Sequence, residues 1–227
     1  SWNWAVDFQN IGARNVEVIT NGYDEDDFEN IKSSPSKKFE LIHIGSLNKD
    51  RNPINFWEAL SELIKENKKL TKDLKITFIG QTDYSVFESL KKYSLDNYAE
   101  KADYKPHDEL MNIAGTARIL LLPLNDTPNV NGIIPGKLFE YIALKIPILC
   151  IGPENGDSAK IINECNAGIV ADFEDKEKIK TALQGFYKEF IDGRLSYSTV
   201  DNNRLKYSRK KLTKDIADIL NVISENK

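Results

Sequence analysis

A chain of 227 residues is long enough to bury a sizeable core, as one large or two small domains. Its 41% apolar and 29% charged content is ordinary for a globular protein, and a net charge of −4 argues against a nucleic-acid binder. No apolar run reaches transmembrane length, and the opening SWNWAVDFQN lacks a basic-then-apolar signal pattern, which points to the cytoplasm.

In chain order, Trp2, Trp4 and Phe8 recur at helical spacing until Gly12, an apolar set that needs something to pack against. Val16 to Thr20 is β-branched and predicts a strand, turned by Asn21-Gly22 and followed by the acidic run Asp24 to Glu29. That run lacks the glycine and alternation of a calcium loop. Ile31 to Lys38 reads as an exposed connector. Strand and helix then alternate. Phe39–Gly45, Lys75–Gly80, Ala99–Asp103, Ile119–Leu124, Ile148–Ile151 and Ala167–Ala171 are the strands. Helices are expected from Pro53 to about Leu70, Ser85 to Leu95, from His107, from Pro135-Gly136, Asp157 to Glu164, and Asp175 to about Phe190. Two more helical stretches lie near Arg204 and from Ser208 to Ile223.

This alternation, with continuously apolar strands, predicts an α/β fold: a Rossmann-like, doubly wound parallel sheet of about six strands with extra helices at both ends. Ligands of such sheets bind beyond the carboxyl ends of the strands, at the switch point. The loop Gly45–Pro53 offers close backbone approach at Gly45, a hydroxyl at Ser46, and Lys49 or Arg51 for phosphate; the alternative is a surface turn with solvated charges. Gly80 ends the second strand in the same way. Tyr104 and His107 follow the third strand, either facing a base or packing and capping a helix. Between Asn131 and Pro153 a polar turn, a Pro-Gly helix start, Lys137 and Glu140 describe either an anion site with a hydroxyl-binding carboxylate or an ordinary strand–loop–helix unit.

Several classes are excluded by what is missing. There is no GxGxxG, no GxxxxGK[ST] and no GxSxG. Two histidines, His43 and His107, are too few for a zinc site, and Cys150 and Cys165 form no CxxC pair and read as buried free thiols. Six basic residues between Arg204 and Lys214, with no acid among them, read first as a solvated helix face and second as a contact for anionic lipid.

Taken together, VEVITNGYDEDDF, LIHIGSLNKDRNP, PGKLFEYIALKIPIL and YSRKKLTKDIADIL resemble, in order, segments of the C-terminal domain of retaining GT-B glycosyltransferases, specifically the family 4-like (group 1) enzymes of bacterial polysaccharide synthesis. The resemblance implies transfer of a sugar from a nucleoside-diphosphate sugar to a glycan or lipid-linked acceptor, with no cofactor beyond that substrate. It implies that Arg51 and Lys137 take the catalytic part on the diphosphate and that Gly45, Ser46, Gly80, Tyr104 and Glu140 bind the nucleotide. Glu140 matches the second glutamate of a Glu-seven-residues-Glu motif, but the first falls on Gly132. The sugar contact then passes to Asn129, to Asn131, or to backbone N–H groups of Gly132, Ile133 and Ile134. Residues 1–15 are expected to be a helix left from a preceding acceptor domain, and 16–227 the donor-binding domain, binding nucleotide without catalysing alone. The inner face of the membrane is the expected place of work. A nucleotide-sugar 2-epimerase and a non-catalytic nucleotide or sugar-phosphate binding module are the alternatives.

Overall fold

The computed structural model describes residues 1–28, 31, 34–103, 105–195 and 201–225. Six strands form one sheet: β1 (Phe39–Ile44), β2 (Leu74–Ile79), β3 (Ala99–Ala102), β4 (Ile119–Pro123), β5 (Ile148–Ile151) and β6 (Gly168–Ala171). All pairings are parallel, in the order β3-β2-β1-β4-β5-β6. The direction of strand order reverses between β1 and β4, the place where a doubly wound sheet opens its ligand crevice.

The helices are α1 (Trp2–Asn10), α2 (Ile54–Glu66), α3 (Lys68–Asp73), α4 (Tyr84–Lys92), α5 (His107–Ala114), α6 (Lys137–Leu144), α7 (Asp157–Glu164), α8 (Lys176–Ile191), α9 (Asp201–Leu205) and α10 (Arg209–Glu225). Strand residues alternate between two apolar clusters. Phe39 and Leu41 join Trp57, Val86 and Phe186 from α2, α4 and α8, whereas Ile42 and Ile44 join Met111, Phe139 and Ile161 from α5, α6 and α7. Burial on both faces explains why β4 and β5 are apolar throughout and why β1 buries even Glu40 and His43.

Two elements differ from expectation. Val16 to Thr20 forms no strand and belongs to no ladder. The chain instead makes an isolated bridge at Tyr23 with Ser208, where Tyr23 N–H donates to Tyr207 O and Arg209 N–H to Tyr23 O. The helix expected from Pro53 to Leu70 breaks at Asn67, whose side chain accepts from the N–H groups of Lys69 and Leu70 and so caps α3. The basic run is also reorganised. Arg204 is 3% exposed, Lys206 pairs with Glu164, Lys211 with Asp215, and Arg209 lies 3.8 Å from Asp24. Cys150 and Cys165 are buried thiols.

Candidate functional site

The β1/β4 ladder pairs Leu41 with Ile119 and Ile42 with Leu120, and then stops. Beyond it the strands part, and the backbone groups of β1 and β4 need other partners, since a buried unpaired group costs about 1–3 kcal/mol. Side chains supply them. His43 Nδ1 donates to Leu121 O at 3.0 Å, the Tyr141 hydroxyl accepts from Ile44 N–H at 3.0 Å, and Lys137 Nζ donates to Ile44 O at 2.6 Å. Two of these residues come from α6, so the helix is stitched directly to the end of β1.

Lys137 also lies 3.5 Å from His43 Nε2. With Nδ1 committed to a carbonyl, Nε2 of the neutral ring is an acceptor for the lysine. Burial, followed by the Lys137 charge, pushes the His43 pKa down to about 3, so this imidazole is neutral at physiological pH. Burial, followed by the charge of Arg51, pushes Lys137 down to about 7, with Glu140 opposing. The same desolvation raises the Tyr141 phenol above its ordinary range. The crevice therefore holds a cation whose charge is poorly solvated and available to an incoming anion.

Glycines make room for this arrangement. Gly45 has φ +89, and a Cβ there would stand 3.3 Å from Lys137 Nζ. Gly80 has φ +117, and its Cβ would stand 3.0 Å from Gly45 O. Both strands thus end in a conformation that L side chains rarely adopt, with backbone packed against backbone.

Arg51 leaves the 3-10 turn Lys49–Arg51 and bridges two loops: Nη1 donates to Ser46 O at 3.1 Å and Nε to Asn125 Oδ1. Burial lowers its pKa. Ser46 and Lys49 are exposed beside it. At the start of α6, Leu138 and Phe139 N–H close onto the carbonyls of Pro135 and Gly136, leaving Gly136 and Lys137 as the first-turn donors. One turn on, Glu140 Oε1 lies 3.3 Å from His107 Nε2 of α5, on the exposed side of the crevice.

The structure thus brings Gly45, Ser46, Arg51, Gly80, Lys137 and Glu140 to one end of the sheet; Tyr104 lies outside the described residues. Asn131, Gly132, Ile133 and Ile134 form the loop before α6, with a 3-10 turn at Val130–Gly132. Its Gly132 and Ile133 N–H groups already donate to Asn129 O and Val130 O. His43, Tyr141 and Asn125 went unassigned in the sequence reading. A histidine inside an apolar strand, one residue before a glycine turn, is the signal that could have marked the first. Among the described residues no cluster of three or more His, Cys, Asp or Glu could hold a metal ion, and no helix is long and apolar enough to cross a membrane. A cavity of about 410 Å³, lined by Phe28, Arg118, Leu144 and Pro147, lies at the opposite end of the sheet.

The sequence profile described as "Glycosyl transferases group 1" matches residues 24–193. The fold is similar to that of sucrose-phosphate synthase from Thermosynechococcus elongatus, with TM-score 0.69 and 10% identity over 98% of this chain and 57% of that one. It is similar to a glycosyltransferase from Rickettsia africae (TM-score 0.68, 15% identity, 98% and 62% covered). TarM from S. aureus, solved with fondaparinux, α-GlcNAc-glycerol and UDP, is likewise similar (0.65, 14%, 97% and 43%). The chain therefore spans about half the length of these GT-B structures. No curated protein sequence matches it significantly.

Proposed function

The chain belongs to the group 1 glycosyl transferases, and from that premise we propose that it binds the donor, a nucleoside-diphosphate sugar, with the diphosphate in the β1/β4 crevice. The observation that carries this reading is Lys137. Its ammonium crosses from the first turn of α6 to the end of β1, with Arg51 near enough to depress its pKa and Glu140 one turn away. Diphosphate would satisfy the cations and the free donors at Gly136 and Lys137, while Glu140 exchanges His107 for ribose hydroxyls. The TarM complex, which contains UDP, supports a diphosphate nucleotide as the ligand class.

When the bond from the sugar to the diphosphate breaks, negative charge grows on the departing phosphate oxygen. Lys137 and Arg51, held in place beforehand by Ile44 O, Ser46 O and Asn125, stabilise that charge without reorganising. The proposed reaction retains the anomeric configuration and takes a hexosyl or related sugar to a glycan or lipid-linked acceptor in surface polysaccharide synthesis. A second domain facing the crevice supplies the acceptor site, and the work is done at the inner face of the cytoplasmic membrane.

Calorimetry of the 227-residue chain against UDP, GDP, ADP and TDP tests the reading. One of them is expected to bind, and Glu140→Ala to weaken it more than its 2′-deoxy counterpart. Failure of all four to bind, or equal loss for ribo and deoxy forms, refutes the placement.

A further inference from the structure

The loop Val130–Ile134 is held by a second set of contacts that lies outside the diphosphate cradle. Asn3 of α1 reaches it across 128 residues of sequence, its Nδ2 donating to Asn131 O at 3.2 Å. The same Nδ2 donates to Asp157 Oδ1 at 2.8 Å, and the Asn3 main-chain N–H donates to Asp157 Oδ2 at 3.0 Å. Asp157, the first residue of α7, is 3% exposed. A buried carboxylate is costly unless both oxygens are hydrogen-bonded, and here one asparagine serves both while the start of α7 adds its dipole.

From α7, the buried Ser158 Oγ donates to Ile133 O at 2.7 Å. From α1, the Trp4 indole rests on Gly132 so closely that a Cβ there would meet Nε1 at 2.3 Å. Lys160 of α7 stands 3.8 Å from the centre of the Trp2 ring, closing the same contact from outside. Two loop carbonyls are thus bound from two different helices, and two loop N–H groups are bound within the turn. The loop is set before any ligand arrives, while the Asn131 side chain stays exposed.

We infer that Asn3, Asp157 and Ser158 are positioning residues that preset the Val130–Ile134 loop to receive the sugar moiety of the donor. This rests on the donor-binding reading, since the loop leads straight into α6. Presetting a loop lowers the ordering cost of binding, so the clamp strengthens recognition of the sugar without touching the nucleotide. Asn3 acts from α1 and Ser158 from α7, so the two can be removed separately.

The test uses the 227-residue chain, with amide hydrogen exchange at Gly132 and Ile133 and calorimetry on UDP, GDP, ADP and TDP and their glucose, galactose and N-acetylglucosamine conjugates. Asn3→Ala and Ser158→Ala should each speed exchange at both amides. They should also weaken the best conjugate by about tenfold, as loss of a positioning contact does, while leaving the parent nucleotide's Kd unchanged. Unchanged exchange, or equal weakening of nucleotide and conjugate, overturns the inference. A wild-type chain that binds a nucleotide but is indifferent to every attached sugar overturns this inference alone. A wild-type chain that binds no nucleotide overturns the donor-binding reading and this inference together.

Discussion

Lys137 offers the sharpest test, because its charge is linked to ligand binding. In the free protein burial and Arg51 bring it from 10.5 to about 7. Diphosphate places negative charge beside the ammonium and returns the pKa toward its ordinary range. Below pH 7 the lysine is charged with or without ligand, and affinity should be flat. Above pH 7 the free protein has lost the proton and the complex holds it, so binding takes up one proton and affinity falls as pH rises. Between pH 7.5 and 9.5 the loss is one decade per unit, about hundredfold in Kd or about 2.7 kcal/mol. Calorimetry with a nucleotide sugar, whose phosphates keep constant charge over this range, measures both the slope and the proton count in buffers of different ionisation enthalpy. Lys137→Met should bind weakly with no slope. A flat wild-type profile, or a slope that survives in Lys137→Met, refutes the reasoning.

Lys137→Met relieves a buried charge in the ligand-free chain below pH 7, about 5 kcal/mol by the pKa shift and about 2–3 after partial solvent exposure. It also strips Ile44 O of its donor, a cost of about 1–3 kcal/mol, so chemical denaturation at pH 6.5 should find a net change of no more than about 2 kcal/mol. His43 acts with the same sign, further into acid. The unfolded chain binds a proton below pH 6.5 that the folded one refuses down to about 3, so stability present above pH 6.5 is lost through that window, and His43→Gln should flatten the decline. Arg51→Lys cannot reach both Ser46 O and Asn125 with a planar fork and should weaken nucleotide binding about tenfold, with little change in Tm. Gly168→Ala puts a Cβ 1.9 Å from Ile148 O across the β5–β6 pair. Neither backbone can give way without breaking the ladder, so a loss of about 3 kcal/mol or more is expected by denaturant titration.

Much of the architecture was legible in the residues. Asp157 to Glu164 and the apolar runs at Phe39, Ile119 and Ile148 are local patterns of spacing and burial, and the structure has them as α7, β1, β4 and β5. Val16 to Thr20 shows the limit: β-branched residues favour a strand locally, but a strand forms only where another pairs with it, and this run joins no ladder. Asn67 shows another, since a cap that ends one helix and starts the next is a single-residue signal inside a long periodic stretch.

At the site, the residue types of Gly45, Arg51, Lys137 and Glu140 announced phosphate and hydroxyl chemistry from sequence position alone. Their meeting did not follow from it. Lys137 touches Ile44 across 93 residues, His43 touches Leu121 across 78, and Asn3 touches Asp157 across 154. Sequence by itself determined the strands, the glycine turns and the family resemblance, because those depend on backbone sterics and on periodic burial within one element. Tertiary structure alone decided that β1 and β4 are neighbours that part after Ile42 and Leu120. That gap draws Lys137, Tyr141 and His43 into the crevice, because the backbone groups it uncovers must find partners and these side chains from α6 and β1 supply them.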